Sequence, residues 1–365
     1  MKRPVMLLLL LVFAAPLGMT AQQAAGGCAP VGKISFVCGQ NGPEDLVAVP
    51  GTPFLVATAY GADGGVNLID TKAATSVRLY PNPAVKERLD SKTYDSCPGP
   101  LEGMDREKFR THGIYLKPGR NGAHTLYVVH HGLRESIEIF ELDAKAKEPV
   151  LTWIGCAVAP DPIGLNAVIA LPEGGFAATN FDPRRPGGRG FTPELLEGKV
   201  NGEVWEWHTG AGWKKVPGSE AAGANGLEMS KDGKWYYVAE WGNRSFMRIS
   251  RGQTPVKRDE ISLGFRVDNV RWAPDGLLFV AGQGGADAGR GQARGANGAA
   301  PAPPSSVIGK VDPKTMKYTE IINNPSTNEV PFATVAVQVG KELWVGSSRG
   351  DRISRYPADG KLTDK

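Results

Sequence analysis

The chain has 365 residues, of which 42 are Lys or Arg and 38 are Asp or Glu, so its formal net charge at pH 7 is only +4. Because the two signs nearly balance and no basic stripe is present, the composition argues against nucleic acid as a partner. The 47 glycines and 28 prolines are interleaved with Val, Leu, Ile and Trp, which is typical of a folded chain with many tight turns and not of disorder.

Residues 1–21 have the pattern of a secretory signal peptide. Two basic residues precede an apolar run from Val5 to about Ala15, and small residues follow it. The run is too short to predict a membrane span. Acylation of Cys28 is disfavoured because Ala25 stands where a lipoprotein has a large aliphatic residue. We therefore expect an exported protein, periplasmic or secreted, without a membrane span once the signal is removed.

Six stretches between residues 42 and 348 repeat one pattern. In each, a polar or small residue opens an alternating run of apolar and polar residues, and a Gly-containing turn leads into a second apolar strand. This pattern predicts a β-hairpin, and residues 224–241 give its clearest copy. The equivalent opening positions, spaced by 67, 54, 59, 44 and 65 residues, are Asp45, His112, Asn166, Asn225, Asn269 and Thr334.

These spacings suit four-stranded blades joined by loops of variable length. The sequence therefore predicts an all-β fold, a six-bladed β-propeller that forms a single domain over residues 28–365. Two insertions interrupt the repeat. Residues 181–199 have a basic, Gly-rich front and a helical turn, and residues 282–306 approach low complexity, which predicts a mobile surface loop. The second loop is either a lid over the site or a tolerated surface insertion.

Four cysteines, Cys28, Cys38, Cys97 and Cys156, all lie in the first half of the chain. An even number in an exported protein indicates disulfides, although four cysteines allow three pairings. We favour the pairs Cys28–Cys38 and Cys97–Cys156. A structural zinc site is disfavoured because no CxxC pair is present.

The openings of the six repeats predict a central metal site. The innermost strand of each propeller blade runs along the central channel, so equivalent positions converge on one axis. Carboxylate and amide oxygens collected from several strands suit calcium, which takes six to eight oxygen ligands. For any one of these residues the alternative is that it satisfies a local turn. The polar residues at this register are Glu44, Asp45, His112, Asn166, Asn225, Asp268 and Asn269.

Two histidines are candidates for acid–base chemistry. His112 occupies the strand register that faces the predicted metal, and His131 ends the second strand of the same hairpin, so the two side chains can meet. One imidazole would then act as a base while the other orients it or carries its proton away. The alternative is that His130 and His131 only form hydrogen bonds at a strand end. No Gly-x-Ser-x-Gly elbow or HExxH helix is present, which disfavours a serine hydrolase.

Several of these stretches together resemble the serum paraoxonase and arylesterase family, within the wider gluconolactonase-like group of six-bladed propellers. They match in family order from about residue 38 to 348. The stretches that carry the resemblance are GPEDLVAVP, THGIYL, VVHHGLRESIEIFEL, ANGLEMSKDGKWYYVAE and VDNVRWAPDG.

The resemblance implies a catalytic calcium and a histidine pair. His112 matches the family's base and His131 its supporting histidine. A second, structural calcium would use Asp45 and the backbone of Ile114, but Ala167 stands where that site has an aspartate. The family's disulfide to the final strand cannot form because no cysteine follows Cys156, so the propeller must close by strand pairing or with a different disulfide. The implied ligands of the catalytic calcium are Glu44, Asn166, Asn225, Asp268 and Asn269.

These features predict an exported, calcium-dependent hydrolase of lactones or aryl esters, a class of small-molecule substrate. Asp268 is an alternative base or nucleophile. A sugar lactonase would keep the metal ring without needing the histidine pair. A non-enzymatic propeller would use calcium only as a structural pin, and a propeller that catalyses condensation is less consistent with an acidic metal ring.

Overall fold

The structure is a computed structural model that describes residues 27–146, 149–185, 191–285 and 303–362. The predicted signal peptide at residues 1–21 lies outside this range, as do residues 286–302 of the second predicted insertion.

The described residues form 25 strands, two short α-helices and one 3-10 turn at Arg120–Gly122. The helices are α1 (Gly103–Lys108) and α2 (Pro193–Leu196). The strands are β1 (Ser35–Cys38), β2 (Leu46–Ala48), β3 (Phe54–Thr58), β4 (Val66–Asp70), β5 (Thr75–Tyr80), β6 (Lys86–Glu87), β7 (Thr111–Lys117), β8 (Ala123–His131), β9 (Glu135–Asp143), β10 (Val150–Val158), β11 (Leu165–Ala170), β12 (Phe176–Asn180), β13 (Glu203–His208), β14 (Gly212–Lys215), β15 (Ala224–Met229), β16 (Trp235–Glu240), β17 (Ser245–Ser250), β18 (Arg258–Ser262), β19 (Arg266–Trp272), β20 (Leu278–Gly284), β21 (Ser305–Val311), β22 (Tyr318–Pro325), β23 (Val335–Val339), β24 (Glu342–Gly346) and β25 (Arg352–Pro357).

The strands form six antiparallel sheets that are the blades of a propeller. Blades 1 to 5 begin with β2, β7, β11, β15 and β19, and blade 6 begins with β23; blade 2 has β6 as an additional edge strand, parallel to β10. These six first strands contact one another in a closed cycle, in the order of the blades, and are therefore the strands that surround the axis. The prediction of an all-β, six-bladed propeller is confirmed.

The ring closes through its N-terminal strand. β1 pairs antiparallel with β25, from Ser35 opposite Arg355 to Cys38 opposite Arg352, and so forms the outermost strand of blade 6. The first and last parts of the chain thus share one sheet, as expected in the absence of a disulfide to the final strand.

Large apolar side chains fill the spaces between neighbouring blades. Most strands are buried on both faces, since each blade is covered by the blade before and the blade after it. Between blades 2 and 3, for example, the ring centroids of Tyr127 and Phe176 lie 5.8 Å apart. This packing fixes the six inner strands relative to one another, which the central site requires.

Both favoured disulfides are present. Cys28 pairs with Cys38, and Cys97 pairs with Cys156. The first fixes the segment before β1 to the end of that strand, and the second joins the connection between blades 1 and 2 to β10. Two disulfides are compatible with an exported protein. Within the described residues, no helix has the length and apolar character needed to cross a membrane.

The two predicted insertions differ in how well their bounds were placed. The insertion at 181–199 contains the expected helical turn, α2, which Thr192 caps by accepting a hydrogen bond from the Leu195 amide. The insertion predicted at 282–306 is too long at both ends, because β20 continues through Gly284 and β21 begins at Ser305. Its glycine-rich composition hid these strand ends, where Gln283 lies opposite Ser306.

We expect the two disulfides to contribute unequally to stability. The Cys97–Cys156 bridge spans 59 residues and the Cys28–Cys38 bridge spans 10. In the chain-entropy model, loops of these lengths correspond to about 4 and about 3 kcal/mol, respectively. Urea unfolding of the C97A/C156A and C28A/C38A variants should show the larger loss for the first. An equal or larger loss for the second would contradict this ranking.

Candidate functional site

Four inner strands carry a β-bulge at the same register. Between Thr111 and Ile114 the inner strand β7 advances three residues, while its partner β8 advances two, from His130 to Val128. One residue is therefore extra on the axial side. A bulge of this kind redirects side chains locally. The same irregularity occurs in β11 between Leu165 and Val168, in β15 between Ala224 and Leu227, and in β19 between Val267 and Val270.

The bulges enclose the predicted site residues of blades 2 to 5. Two glycines inside them are required by the close approach of neighbouring inner strands. A Cβ on Gly113 would lie 2.4 Å from the carbonyl oxygen of Asn166, and a Cβ on Gly226 would lie 2.4 Å from that of Asp268. Thus His112 and Asn225 are each followed by a residue that must lack a side chain.

Blades 1 and 6 complete the ring without a bulge. Glu44 and Asp45 immediately precede β2 and are almost fully buried. In blade 6, the hydroxyl of Thr334 donates a hydrogen bond of 2.6 Å to the backbone carbonyl of Glu44, and the Thr334 carbonyl accepts one of 2.9 Å from the Asn269 amide. Blade 6 therefore positions ligands of its neighbours.

Contacts between side chains bring the five predicted metal ligands together. Asn269 Nδ2 donates to Glu44 Oε1 over 2.6 Å, and the side chain of Asn225 forms a hydrogen bond with Asp268. Glu44 Oε1 is also 3.9 Å from His112 Nε2, which in turn is 3.3 Å from Asn166 Nδ2. The side-chain amide nitrogen of each of the three asparagines is thus hydrogen-bonded to a neighbouring side chain.

The oxygens of the same side chains have no such neighbour. Within the described residues, four buried oxygens of the ring lack a hydrogen-bond partner: Glu44 Oε2, Asn166 Oδ1, Asn225 Oδ1 and Asn269 Oδ1. A buried oxygen without a partner is costly, and four of them from four blades in one cluster call for a cation. Together with the Asp268 carboxylate they form an all-oxygen donor set of the kind calcium prefers.

Burial raises the proton affinity of the carboxylates in this ring. Burial raises the pKa of Asp268 to about 7, although hydrogen bonds from Gln283 and Asn225 oppose the shift. Burial, together with the negative charges of Asp45 and Asp268, raises the pKa of Glu44 well above its usual range. Without a metal ion, these groups therefore retain protons at a pH at which exposed carboxylates have lost them.

A chain of hydrogen-bonding groups leads from the ring through the two histidines. His112 Nδ1 is 2.9 Å from His131 Nε2, and His131 Nδ1 is 3.0 Å from Glu135 Oε1. Glu135 Oε1 also accepts a hydrogen bond of 2.7 Å from the Leu165 amide, which holds the carboxylate next to β11. His112 and His131 therefore meet at the end of one hairpin, as predicted.

The partners at the two ends of this chain select one tautomer for each ring. The Glu135 carboxylate can only accept, so a proton on His131 Nδ1 faces it, and His131 Nε2 accepts the Nδ1–H of His112. His112 Nε2 then carries the lone pair, consistent with the Asn166 amide nitrogen beside it. The unprotonated nitrogen of His112 therefore faces the ring.

Sequence reasoning missed Glu135 and assigned no role to Gln283. Glu135 is four residues from His131, across the turn between β8 and β9, and no motif marked it. Gln283 Nε2 donates to Asp268 Oδ2 over 2.7 Å, while its Oε1 accepts from Trp241 Nε1 over 2.9 Å. Gln283 thus connects the ring to an aromatic cluster.

Aromatic side chains form a wall beside the ring. The Trp241 ring lies 4.8 Å from that of Phe191 and 5.8 Å from that of Phe181, which places the first predicted insertion next to the site. On the other side, Tyr60, 41% exposed, has its ring 4.7 Å from that of His112. The surroundings of the polar ring are therefore partly apolar.

The ligands proposed for a second calcium also come together, but around an arginine. Arg271 Nη2 donates to Asp45 Oδ2 and, over 2.9 Å, to the carbonyl of Ile114. Ala167 contributes only a methyl group to the neighbouring core. These residues do not fit a divalent ion as they stand, because a guanidinium already occupies their oxygens.

A second acidic cluster lies away from the axis. Glu173, Glu206 and His208 approach within metal-binding distance of one another in the described residues. Arg251, however, forms ion pairs with both carboxylates. Although burial opposes the shift, hydrogen bonds from Arg251, His208 and Tyr236 lower the pKa of Glu206 to about 2. The cluster is therefore an ion-pair network that already contains its cation.

Solved structures with this fold include a luciferin-regenerating enzyme and a putative gluconolactonase. The first is similar with a TM-score of 0.52 and 15% identity, over 90% of this chain and 95% of that chain. The second gives a TM-score of 0.50 and 13% identity, over 89% and 92%. At such identities the likeness shows the fold alone, a six-bladed β-propeller. No protein-family model matches the chain, and no curated protein matches it in sequence.

Calcium affinity should increase with pH. Because the pKa of Asp268 is raised to about 7 and that of Glu44 is raised as well, the folded, metal-free ring retains protons that an incoming cation must displace. Affinity should therefore increase with pH up to about pH 7, by up to about tenfold per unit for each proton released, and level off above it. For the same reason, the stability of the metal-free protein should decrease as the pH rises from about 4 to about 7. Calorimetric calcium titrations test this, and an affinity that is constant from pH 6 to 8 would argue against the ring as the site.

Glu135→Gln should slow catalysis without weakening calcium binding. The substitution keeps the size of the side chain and one acceptor oxygen but removes the negative charge that balances the histidine pair, so we expect kcat to fall by about tenfold or more. Glu138→Gln is the matched control, because Glu138 is buried on the same strand and binds Arg134, Ser136 and Trp153 instead. If both substitutions lower kcat equally, Glu135 has only a structural role.

Proposed function

We propose that the protein is an exported, calcium-dependent hydrolase of lactones or aryl esters, in which residues 28–365 form one domain. The main support is the convergence of two features at one end of the channel. Four buried, unpartnered oxygens and a carboxylate form a donor set for calcium, and Nε2 of His112, whose ring is paired with that of His131, lies beside that set. A purely structural metal site would not need the histidine pair beside it.

The metal would be held by Glu44, Asn166, Asn225, Asp268 and Asn269. Calcium in that position supplies a Lewis acid for the ester carbonyl oxygen and for the negative charge that develops there. Since each asparagine has its nitrogen bound to a neighbour, all three amide oxygens are oriented before the ion arrives. Such preorganisation lowers the cost of binding.

The histidine pair would activate water. His112 Nε2 accepts a proton as the oxygen of water adds to the carbonyl carbon, and the Nδ1–H of His112 is stabilised by His131 Nε2. Glu135 balances the positive charge that the pair acquires. When the carbon–oxygen bond to the leaving group breaks, the proton is returned to the departing alkoxide or phenoxide, so that an aryl ester and water give an acid and a phenol, and a lactone and water give one hydroxy acid.

The walls of the site support an apolar or aromatic substrate. Tyr60 is exposed beside His112, and Trp241 with Phe191 forms an aromatic surface that connects through Gln283 to Asp268. Aromatic and aliphatic groups bury favourably against such surfaces. A highly hydroxylated sugar lactone would find fewer hydrogen-bonding partners there.

His112→Gln should abolish hydrolysis while calcium binding is retained. We expect a loss of at least about a hundredfold in kcat, since the general base is removed, and the five oxygen ligands remain. Hydrolysis of phenyl acetate and of aliphatic lactones, with and without chelator, provides the measurement. His208→Gln, which removes a histidine of the remote ion-pair network, is the control and should retain full activity.

The outcomes separate the competing functions. Activity on gluconolactone that survives His112→Gln would indicate a sugar lactonase. Survival of phenyl acetate hydrolysis in this variant would assign the base to Asp268. If the purified protein hydrolyses no lactone or aryl ester in a chelator-sensitive way, the enzymatic proposal fails and a binding propeller pinned by calcium remains.

A further inference from the structure

Arg271 lies in the central channel, on the inner strand β19, two residues after the ring ligand Asn269. Its side chain is buried and contacts three blades. Nη2 donates to Asp45 Oδ2 and to the carbonyl of Ile114, Nε donates to the carbonyl of Leu46 over 3.3 Å, and Nη1 donates to the carbonyl of Val270 over 2.9 Å. Each of the three guanidinium nitrogens therefore donates to at least one oxygen.

The acidic partners of Arg271 are fixed by other bonds as well. Asp45 Oδ1 accepts from the Leu46 amide and Oδ2 accepts from the Ile114 amide, each over 2.8 Å. A second carboxylate, Glu228 of β15, is also buried; burial raises its pKa to about 7, while the positive charge of Arg271 acts in the opposite direction. Arg271 is thus a positive charge amid buried acidic groups.

The same oxygens would be the ligands of a second divalent ion. Such an ion would need the Asp45 carboxylate, the Ile114 carbonyl and a further carboxylate at position 167, where this chain has alanine. One nitrogen of Arg271 lies between the first two of these oxygens and satisfies both. A planar, permanently charged guanidinium provides the charge and the directional donors that a metal would otherwise provide.

We propose that Arg271 is a built-in cation that replaces a second calcium, so that the channel binds one divalent ion per chain, at the ring that contains Glu44 and Asn269, and none beside Asp45. The expected count of one calcium ion rests on the proposed function, whereas the exclusion of calcium from the position beside Asp45 does not. Arg271 is then a positioning residue, because Asp45 follows Glu44, Ile114 lies two residues after His112, and Arg271 itself follows Asn269. Through these neighbours, Arg271 helps to hold Glu44, His112 and Asn269 in place without a metal ion.

Calcium counts and thermal unfolding of three proteins test this inference. The wild type should bind one calcium per chain by equilibrium dialysis. In the variant A167D/R271M, which restores a carboxylate and removes the guanidinium, the count should increase by one, and calcium should raise the Tm by several degrees more than it does in the wild type. R266M is the matched control. Arg266 is another buried arginine of β19, but it binds the carbonyls of Trp241 and Gly242, so its loss should lower Tm without adding a calcium.

Two results would overturn the inference: two calcium ions per wild-type chain, or a folded A167D/R271M variant that binds no more calcium than the wild type. If the wild type binds no calcium and the double variant binds one ion, the proposed function is contradicted. The replacement of calcium by Arg271 beside Asp45 is still supported. If the double variant does not fold, the wild-type count decides alone, with two ions against the inference and one or none in favour.

Discussion

The structure depends on one backbone constraint, an extra residue at the same register in four inner strands. Regular strands would point alternate side chains into the spaces between blades, where apolar residues pack. The bulges interrupt this alternation in β7, β11, β15 and β19 and bring polar side chains together at the axis. The glycines that follow His112 and Asn225 allow the strands to approach closely enough for these side chains to meet. Local geometry, repeated by the fold, thus creates a site that no single blade contains.

The channel balances buried negative charge in two ways along its length. In the ring, one side-chain oxygen of each of Glu44, Asn166, Asn225 and Asn269 has no hydrogen-bond donor, an arrangement that suits an exchangeable cation. Two residues after Asn269 on β19, Arg271 donates hydrogen bonds to Asp45 and to the Ile114 carbonyl. An exchangeable ion can polarise a substrate, whereas a covalently attached cation holds strands together without being lost to a chelator. Under the proposed function, one cation would serve catalysis and the other would support the strands.

Much of the fold and part of the site were predictable because they rest on local patterns. Alternating strands, Gly-containing turns and their spacing predicted six blades, and the polar residues that open the repeats predicted which side chains meet. Glu135 was missed because its role depends on pairing across the turn between β8 and β9, which leaves no motif. Arg271 was missed for a similar reason: a lone arginine in an apolar strand gives no sign of which blades it will contact. The end of β20 was missed because Gly282 and Gly284 lack the side chains by which strands are recognised.

We propose that oxygens from four blades surround a single calcium ion next to His112. The decisive experiment is a crystal structure of the protein grown with calcium. We expect one ion at about 2.3 to 2.6 Å from oxygens of Glu44, Asn166, Asn225, Asp268 and Asn269, with the Arg271 guanidinium still bound to Asp45. A channel that contains only water at these oxygens, or an ion bound beside Asp45 with Arg271 displaced, would contradict it.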